Sequence, residues 1–164
     1  RILPIYEGTT AIQANDLVGR KTSRDGGQTA LAIAGQVQAT EKALLAHGAA
    51  DAKAMALRLG AARQAFVDVV QFVADQSKAS PNAVFAGSVP YLMLAGNLMA
   101  GWQMARAMLV ALEHLAGARD TAFMQAKITT ARFYADHILT RAPGMRDAIV
   151  DGADSVNALA LDSY

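Results

Sequence analysis

The chain has 164 residues, which is enough for one domain with a substantial core. Its 15 Lys and Arg residues nearly balance its 14 Asp and Glu residues, and the net charge of +1 argues against nucleic acid or an anionic membrane surface as a partner. Cysteine is absent, which excludes disulfides and thiolate metal sites and is compatible with a cytoplasmic protein. Hydrophobic residues make up 53% of the chain but aromatic residues only 6%, and the abundant alanine favours helices over sheets.

The first 21 residues form a leader with one predicted helix. Gly8 frees the backbone just before Thr9 and Thr10, and a threonine hydroxyl can cap exposed amide groups, so the helix is predicted to begin at one of these threonines. Turn-forming residues at 22–27, which end in two glycines, then predict a linker. The chain begins at Arg1 rather than at a methionine and shows no signal-like leader, and we interpret it as a fragment of a longer protein.

Four long helices are predicted beyond the linker. Their expected ranges are 28–47, 51–78, 88–116 and 120–141. The signals for their ends are Gly48 after the first, Asp51 as the cap of the second, Ser88 with Pro90 at the start of the third, and Asp120 as the cap of the fourth. Residues 83–87 are expected to form a connection, and the tail 145–164 to hold a short helix or two. Because short loops impose antiparallel packing, the sequence predicts an all-α antiparallel bundle of about four long helices with a short helical leader.

Helical periodicity also predicts which residues face the core. On the first long helix they are Leu31, Ile33, Ala34, Val37, Leu44 and Leu45. On the second they are Met55, Leu59, Ala62, Phe66, Val69, Val70 and Val73. The third helix carries small residues that should let a neighbouring helix approach closely: Ala95, Gly96, Ala100, Gly101 and Ala105. It also carries residues expected in the core, with an adaptable binding groove as the alternative: Met93, Met99, Trp102, Met104 and Met108.

One segment carries chemistry, and it reads Ile-Tyr-Glu-Gly-Thr-Thr-Ala-Ile-Gln at residues 5–13. It resembles the carboxyl-terminal signature of the acyl-CoA dehydrogenases almost residue for residue. The resemblance implies that Glu7 is the base that removes the α-proton of an acyl-CoA thioester. It also implies that Gly8, for want of a side chain, lets the substrate approach the backbone. Such a proton transfer needs a positioned carboxylate and a polarised thioester carbonyl in a site that holds little water.

The same resemblance implies contacts to FAD. Thr9, Thr10, Ala11 and Gln13 align with the stretch of the family that touches this cofactor. Ala11 departs from the glutamine often found there in medium-chain members, whereas Gln13 keeps the later glutamine of the signature. No metal is implied, and the three histidines, His47, His114 and His137, lack the spacing of a metal site such as His-Glu-x-x-His.

The rest of the chain resembles the additional helical domain of one subgroup of this family. The stretches 86–97 and 101–106 look like the extension found in a subgroup that includes the 3-methylmercaptopropionyl-CoA dehydrogenases. The resemblance implies that residues 1–25 end the catalytic domain and that residues 26–164 form a carboxyl-terminal helical domain. It implies further that the full protein is a homodimer that oxidises an acyl-CoA to its 2,3-enoyl-CoA with FAD and passes electrons to an electron-transfer flavoprotein. We expect the fragment alone to retain no FAD and to be inactive.

Two alternatives stay open on the residues alone. The chain could be a non-catalytic helical bundle for oligomer assembly, which would show an exposed apolar face and concentration-dependent association. Membrane association is the weaker alternative, because the charge is balanced and the chain lacks a Lys-rich amphipathic face. The apolar window 89–112 is interrupted by Asn97, Gln103 and Arg106, so it is interpreted as a buried helix rather than as a membrane span. Four arginines lie on otherwise apolar helices, and one or two of them could reach a neighbouring domain or subunit: Arg58, Arg63, Arg106 and Arg132.

Overall fold

The computed structural model describes residues 8–156 and 158–159, and within these residues the chain forms helices and turns with no strand. The leader begins with α1 (Thr10–Asp16), which continues as a π-helical segment (Leu17–Thr22) and a 3₁₀ turn (Ser23–Asp25). The following helices are α2 (Gln28–His47), α3 (Ala50–Gln76), α4 (Pro81–Ala86), α5 (Ser88–Ala116), α6 (Thr121–His137), α7 (Ala142–Val150) and α8 (Ala153–Val156), with a 3₁₀ turn (Leu139–Arg141) between α6 and α7.

The predicted all-α bundle is confirmed. Only Gly48 and Ala49 separate α2 from α3, and Gly48 adopts a left-handed φ of 80°, so the chain reverses and the two helices pack antiparallel. Helix α3 is central, since it contacts α2, α5, α6 and α7. Helix α5 has 29 residues and is the longest element, about 43 Å at the usual rise per residue.

The core confirms the predicted face of α3 and corrects that of α2. All seven residues predicted to face inward from α3 are buried. On α2, Ala34, Val37 and Leu44 are buried, whereas Leu31 is 36% exposed and Leu45 is 52% exposed. Helix α2 lies at the edge of the bundle and packs mainly against α3 and α5, so only a narrow stripe of it is covered. The predicted face was therefore wider than the real one.

Two stretches that the sequence did not assign to the long helices form short helices of their own, each with a proline in its first turn. Residues 83–87 were expected to form a connection, but Pro81 lies in the first turn of α4, which runs to Ala86. Likewise Pro143 lies in the first turn of α7, rather than in a loop. A proline that ends one helix is also well suited to begin the next, because the amide it lacks has no partner in the first turn.

Neither predicted aspartate cap makes a capping hydrogen bond. Asp51 lies inside the first turn of α3, after Ala49 at the N-cap position. Asp120 does occupy the N-cap position of α6, but with a left-handed φ of 43° and no capping bond from its side chain. Helix α6 ends at His137, earlier than expected, and its direction continues in the 3₁₀ turn that follows.

The small residues on α5 allow a close contact with a neighbouring segment at Gly101, whereas Gly96 has no such contact. A β-carbon built on Gly101 would lie 2.6 Å from Cδ2 of the buried Leu139, so this glycine is needed for the close approach of the segment after α6. Gly96 has nothing within 4 Å of the corresponding position. Nearby, Met108 is fully buried while Met93 is 49% exposed, so the methionines divide between core and surface.

The four arginines on otherwise apolar helices all have partners within the bundle. Arg63 donates to Glu41 at 3.0 Å and joins α3 to α2. Arg132 donates to Asp51 at 3.0 Å and to Asp136 at 2.9 Å, and the hydrogen bond from Asp136 is the main cause that raises the pKa of the guanidinium. The two remaining arginines also have local partners: Arg58 lies 3.9 Å from Asp136, and Arg106 lies over the ring of Trp102.

Candidate functional site

The described part of the signature lies on the exposed side of α1. Gly8, Thr9, Ala11 and Gln13 are exposed, and Thr10 is half-buried. Ile12, between them, is 63% exposed. Glu7, the predicted catalytic base, lies outside the described residues. The structure thus brings the five predicted contact residues together at one end of the leader, with most of their side chains directed away from the bundle.

The opposite side of α1 is anchored in the bundle. Ala14 of α1 and Val18 of the π-helical segment that continues it are fully buried, and α1 contacts α5. The predicted start of the helix is confirmed, since the helix begins at Thr10 with Thr9 at the N-cap position. The Thr9 hydroxyl makes no capping bond, and the Thr9 carbonyl accepts the first hydrogen bond of the helix, from the Gln13 amide at 2.8 Å. One side of the helix is therefore fixed while the signature side stays accessible.

A buried pair of hydroxyls fastens the end of the leader. Thr22 and Tyr91 are 1% and 0% exposed, and their side-chain oxygens lie 2.9 Å apart in a hydrogen bond. Burial raises the pKa of Tyr91, and the hydrogen bond from Thr22 opposes part of that rise. The Tyr91 ring also packs on Phe66 of α3, with the ring centroids 5.9 Å apart. The sequence predicted a linker at this point, but Thr22 is held between two helices of the bundle.

The π-helical segment that ends at Thr22 explains why the Thr22 side chain points inward. A π-helix accommodates one more residue than an α-helix over the same span and so rotates the residues that follow. The residue pattern did not predict this π-helical segment. The neighbouring Ser23 hydroxyl donates to Ser77 at 2.7 Å, which adds a second link between the leader and the end of α3.

Asp25 connects the leader to α2. Its carboxylate accepts the Thr29 hydroxyl at 2.6 Å, the Thr29 amide at 3.0 Å and the Gly27 amide at 3.0 Å. These hydrogen bonds, that from the Thr29 hydroxyl first, lower the pKa of Asp25. Gly27 has a φ of 80°, and a β-carbon there would lie 2.6 Å from Cγ1 of Val70. The Asp-Gly-Gly-x-Thr spacing at 25–29 is the sequence signal that could have identified this cap.

A cavity of about 570 Å³ opens between the leader and the bundle. Its walls come from the leader, α2, α3 and α5, and no residue pattern predicted it because no single element forms it. The apolar wall residues are Leu17, Ala30, Ile33, Phe66, Ala95 and Met99. The polar ones are Arg20, Lys21, Thr22, Arg24, Asp25, Thr29 and Tyr91.

Two other kinds of site are absent from the part of the chain that the structure describes. No group of three His, Cys, Asp or Glu side chains there is placed to hold a metal ion. In the same residues no helix is both long enough and apolar enough to cross a membrane.

Comparison with known proteins places most of the chain in one group of relatives. The family described as Acetyl-CoA dehydrogenase C-terminal like matches residues 33–160. The chain is 48% identical over 161 residues to the 3-methylmercaptopropionyl-CoA dehydrogenase of Ruegeria pomeroyi, in an alignment that covers 98% of this chain and 27% of that protein. It is 35% identical over 164 residues to the broad-specificity linear acyl-CoA dehydrogenase FadE5 of Mycobacterium tuberculosis, with 91% of this chain and 26% of that protein covered. The chain thus spans about a quarter of the length of these relatives.

Proposed function

The chain belongs to the family described as Acetyl-CoA dehydrogenase C-terminal like, and from this membership we propose that it is the carboxyl-terminal part of an FAD-dependent acyl-CoA dehydrogenase. The whole protein oxidises an acyl-CoA to its 2,3-enoyl-CoA. The observation that carries the proposal is the exposed signature side of α1, because Gly8, Thr9, Ala11 and Gln13 are presented outward from a helix whose other side is anchored. A surface of that kind suits a binding site completed by other parts of the protein.

Each signature residue has a distinct role in the proposal. Glu7 acts as the general base that takes the α-proton of the thioester, and Gly8 leaves room for the substrate beside the backbone. FAD, when bound, supplies the acceptor for the β-hydride. The exposed hydroxyl of Thr9 and the amide of Gln13 are groups able to hydrogen-bond to such a cofactor, with Thr10 and Ala11 beside them. Ala11 can offer only its backbone and its methyl group.

The division at residue 25 follows from the same proposal. Residues 1–25 complete the catalytic domain, and residues 26–164 form the helical extension that supports them. The support is physical, since Thr22 and Tyr91 bond across this boundary and Asp25 caps α2. The intact enzyme would pass its electrons to an electron-transfer flavoprotein in the cytoplasm.

The isolated chain should neither retain FAD nor turn over substrate. The chain spans only 27% and 26% of the two relatives, so most of any cofactor site would lie in other domains. The purified chain is therefore expected to be colourless. A yellow preparation that keeps flavin through gel filtration would contradict this part of the proposal.

A second function, assembly of a homodimer, is favoured by exposed aromatic side chains on α6. Phe123 and Phe133 are 58% and 60% exposed on the outer side of this helix. Large apolar groups on a surface often mark a protein interface. Sedimentation of the whole protein should then show a dimer that Phe133→Lys weakens. An unchanged sedimentation coefficient over the full concentration range would exclude this face as the interface.

The catalytic proposal is tested in the whole protein with Glu7→Gln. Turnover of short, long and thioether acyl-CoAs is measured with an artificial electron acceptor, and flavin content is measured in parallel. Loss of the base should lower turnover by about a thousandfold while flavin stays bound. Glu113→Gln, an exposed site on α5, is the matched control and should leave turnover unchanged. Equal turnover of the wild type and Glu7→Gln would place the base elsewhere.

A further inference from the structure

The cavity between the leader and the bundle has an apolar interior. Leu17 of the leader, Ile33 of α2, Phe66 of α3 and Met99 of α5 face it from four directions. The two hydroxyls at its wall, Thr22 and Tyr91, are bonded to each other, so neither calls for a polar ligand group. At about 570 Å³ its volume falls within the range of small-molecule sites. The interior of the cavity is therefore suited to bind the apolar chain of a ligand.

The mouth of the cavity is positively charged. Arg20, Lys21 and Arg24 line it, against the single carboxylate of Asp25. That carboxylate is already engaged by amide and hydroxyl groups of α2. Arg20 and Lys21 share one counter-ion, Asp16, at 3.0 and 3.3 Å.

Arg24 differs from these two cations. It is exposed, and among the residues that the structure describes it forms no ion pair. The mouth therefore carries positive charge that its own acidic residues do not neutralise. A ligand with an anionic head and an apolar tail would satisfy both parts of the cavity, with the charge at the rim and the tail inside.

We propose that this cavity binds an amphipathic monoanion of the fatty-acid type, with its carboxylate near Arg24 and its unbranched tail among Leu17, Ile33, Phe66 and Met99. The site is separate from the signature side of α1, because the cavity is lined by residues from position 17 onward and the signature ends at Gln13. The inference does not depend on the acyl-CoA dehydrogenase activity. Free carboxylates rather than thioesters are the probe for that reason.

The test measures binding to the whole protein by isothermal titration calorimetry, below the micelle concentration of each probe. Decanoate should bind about fifteenfold more tightly than octanoate, since it buries two more methylenes and each contributes about fourfold. Decyltrimethylammonium, whose tail is one carbon longer and whose charge is opposite, should still bind more weakly than decanoate. Raising the salt concentration should reduce that difference, because the rim charges are exposed.

Variants locate the ligand in the cavity. Ala95→Leu fills the interior from α5 and should abolish saturable decanoate binding, while Ala107→Leu, at an exposed position of the same helix, should leave it unchanged. Ala30→Leu repeats the test from the α2 wall and covers the case in which Ala95→Leu misfolds. Arg24→Glu should weaken decanoate about fivefold, and Arg119→Glu, exposed on a distant turn, should not.

Three results would overturn the proposal. Absence of saturable decanoate binding would show that the cavity is only an uncovered apolar surface. Equal binding of decanoate and decyltrimethylammonium would remove the role of the basic rim. Unchanged decanoate binding in both folded alanine variants would place the ligand elsewhere on the chain.

Discussion

Helices α1 and α5 put their side chains to opposite uses. Helix α5, with 29 residues, buries Tyr91, Leu94, Leu98 and Met108 completely and meets neighbours on several sides. Helix α1, with seven residues, buries only Ala14 and exposes most of the signature. A helix this short is not stable by itself, so its shape depends on the bundle. The comparison indicates that the bundle supplies stability, and under the proposed function the leader supplies the chemistry.

The strongest test of this dependence lies at the joint between the two regions. Gly27→Ala places a side chain at a φ of 80° and 2.6 Å from Cγ1 of Val70. The left-handed backbone and the steric overlap together should lower the free energy of unfolding by about 2–4 kcal/mol. Gly26→Ala is the matched control, because its φ is 64° but the space around it is open, so only the backbone effect of about 1–2 kcal/mol is expected. Urea denaturation measures both, and equal losses would show that Val70 is not the obstacle.

The buried hydroxyl pair that fastens the leader should show coupling. Tyr91→Phe leaves the Thr22 hydroxyl buried without its partner and should cost about 1–3 kcal/mol. Thr22→Val leaves the Tyr91 hydroxyl buried without its partner and should cost a similar amount of folding free energy. The double variant should lose less than the sum of the two, because neither unsatisfied hydroxyl remains. Additive losses in denaturant melts would mean that the bond does not hold the leader.

Two glycines of α5 separate packing from helix propensity. Gly101→Ala gains about 1 kcal/mol of propensity but overlaps Leu139, which costs about 1–3 kcal/mol, so a net loss of about 1 kcal/mol is expected. Gly96→Ala gains the same propensity in open space and should raise stability by about 0.5–1 kcal/mol. The midpoint of thermal unfolding should therefore fall for Gly101→Ala and rise for Gly96→Ala. A shift of the same sign would contradict the close approach of Leu139.

Acidification should weaken the Asp25 cap, and the resulting loss of folding stability should be smaller than the losses expected for the substitutions above. Hydrogen bonds from Thr29 and Gly27 lower the pKa of Asp25 in the folded state. The stability that it contributes is therefore complete above the ordinary carboxyl pKa and is lost as the pH falls through the lowered value. Wild type should lose more stability than Asp25→Asn as the pH falls from neutral through this acidic range. Parallel pH profiles for the two proteins would show that the carboxylate is not a cap.

The bundle was largely predictable because its signals are local. Periodic apolar residues located the buried face of α3, and Gly48 marked the end of α2 correctly. The errors arose where tertiary contacts decide. Leu31 and Leu45 fit the helical pattern of α2 but lie where no other helix covers them. The carboxylate of Asp51 accepts a hydrogen bond from Arg132 instead of capping its own helix.

The candidate site was predictable only in part. The signature residues are contiguous in sequence, so the resemblance alone could single them out and place them at the start of a helix. Their outward direction could not be inferred, because it depends on which side of α1 meets α5. The Thr22–Tyr91 bond joins residues 69 positions apart, and the cavity draws on four segments, so neither leaves a local pattern.

The central claim, chemistry in the leader and stability in the bundle, is tested most directly by comparing Glu7→Gln and Gly101→Ala in the whole protein. Turnover with an acyl-CoA and the thermal midpoint are measured for both variants. Glu7→Gln should lose about a thousandfold in turnover with its midpoint unchanged, whereas Gly101→Ala should lose a few degrees in midpoint with turnover retained. Retained turnover in Glu7→Gln, or a loss of turnover in Gly101→Ala as large as its own, would contradict the account.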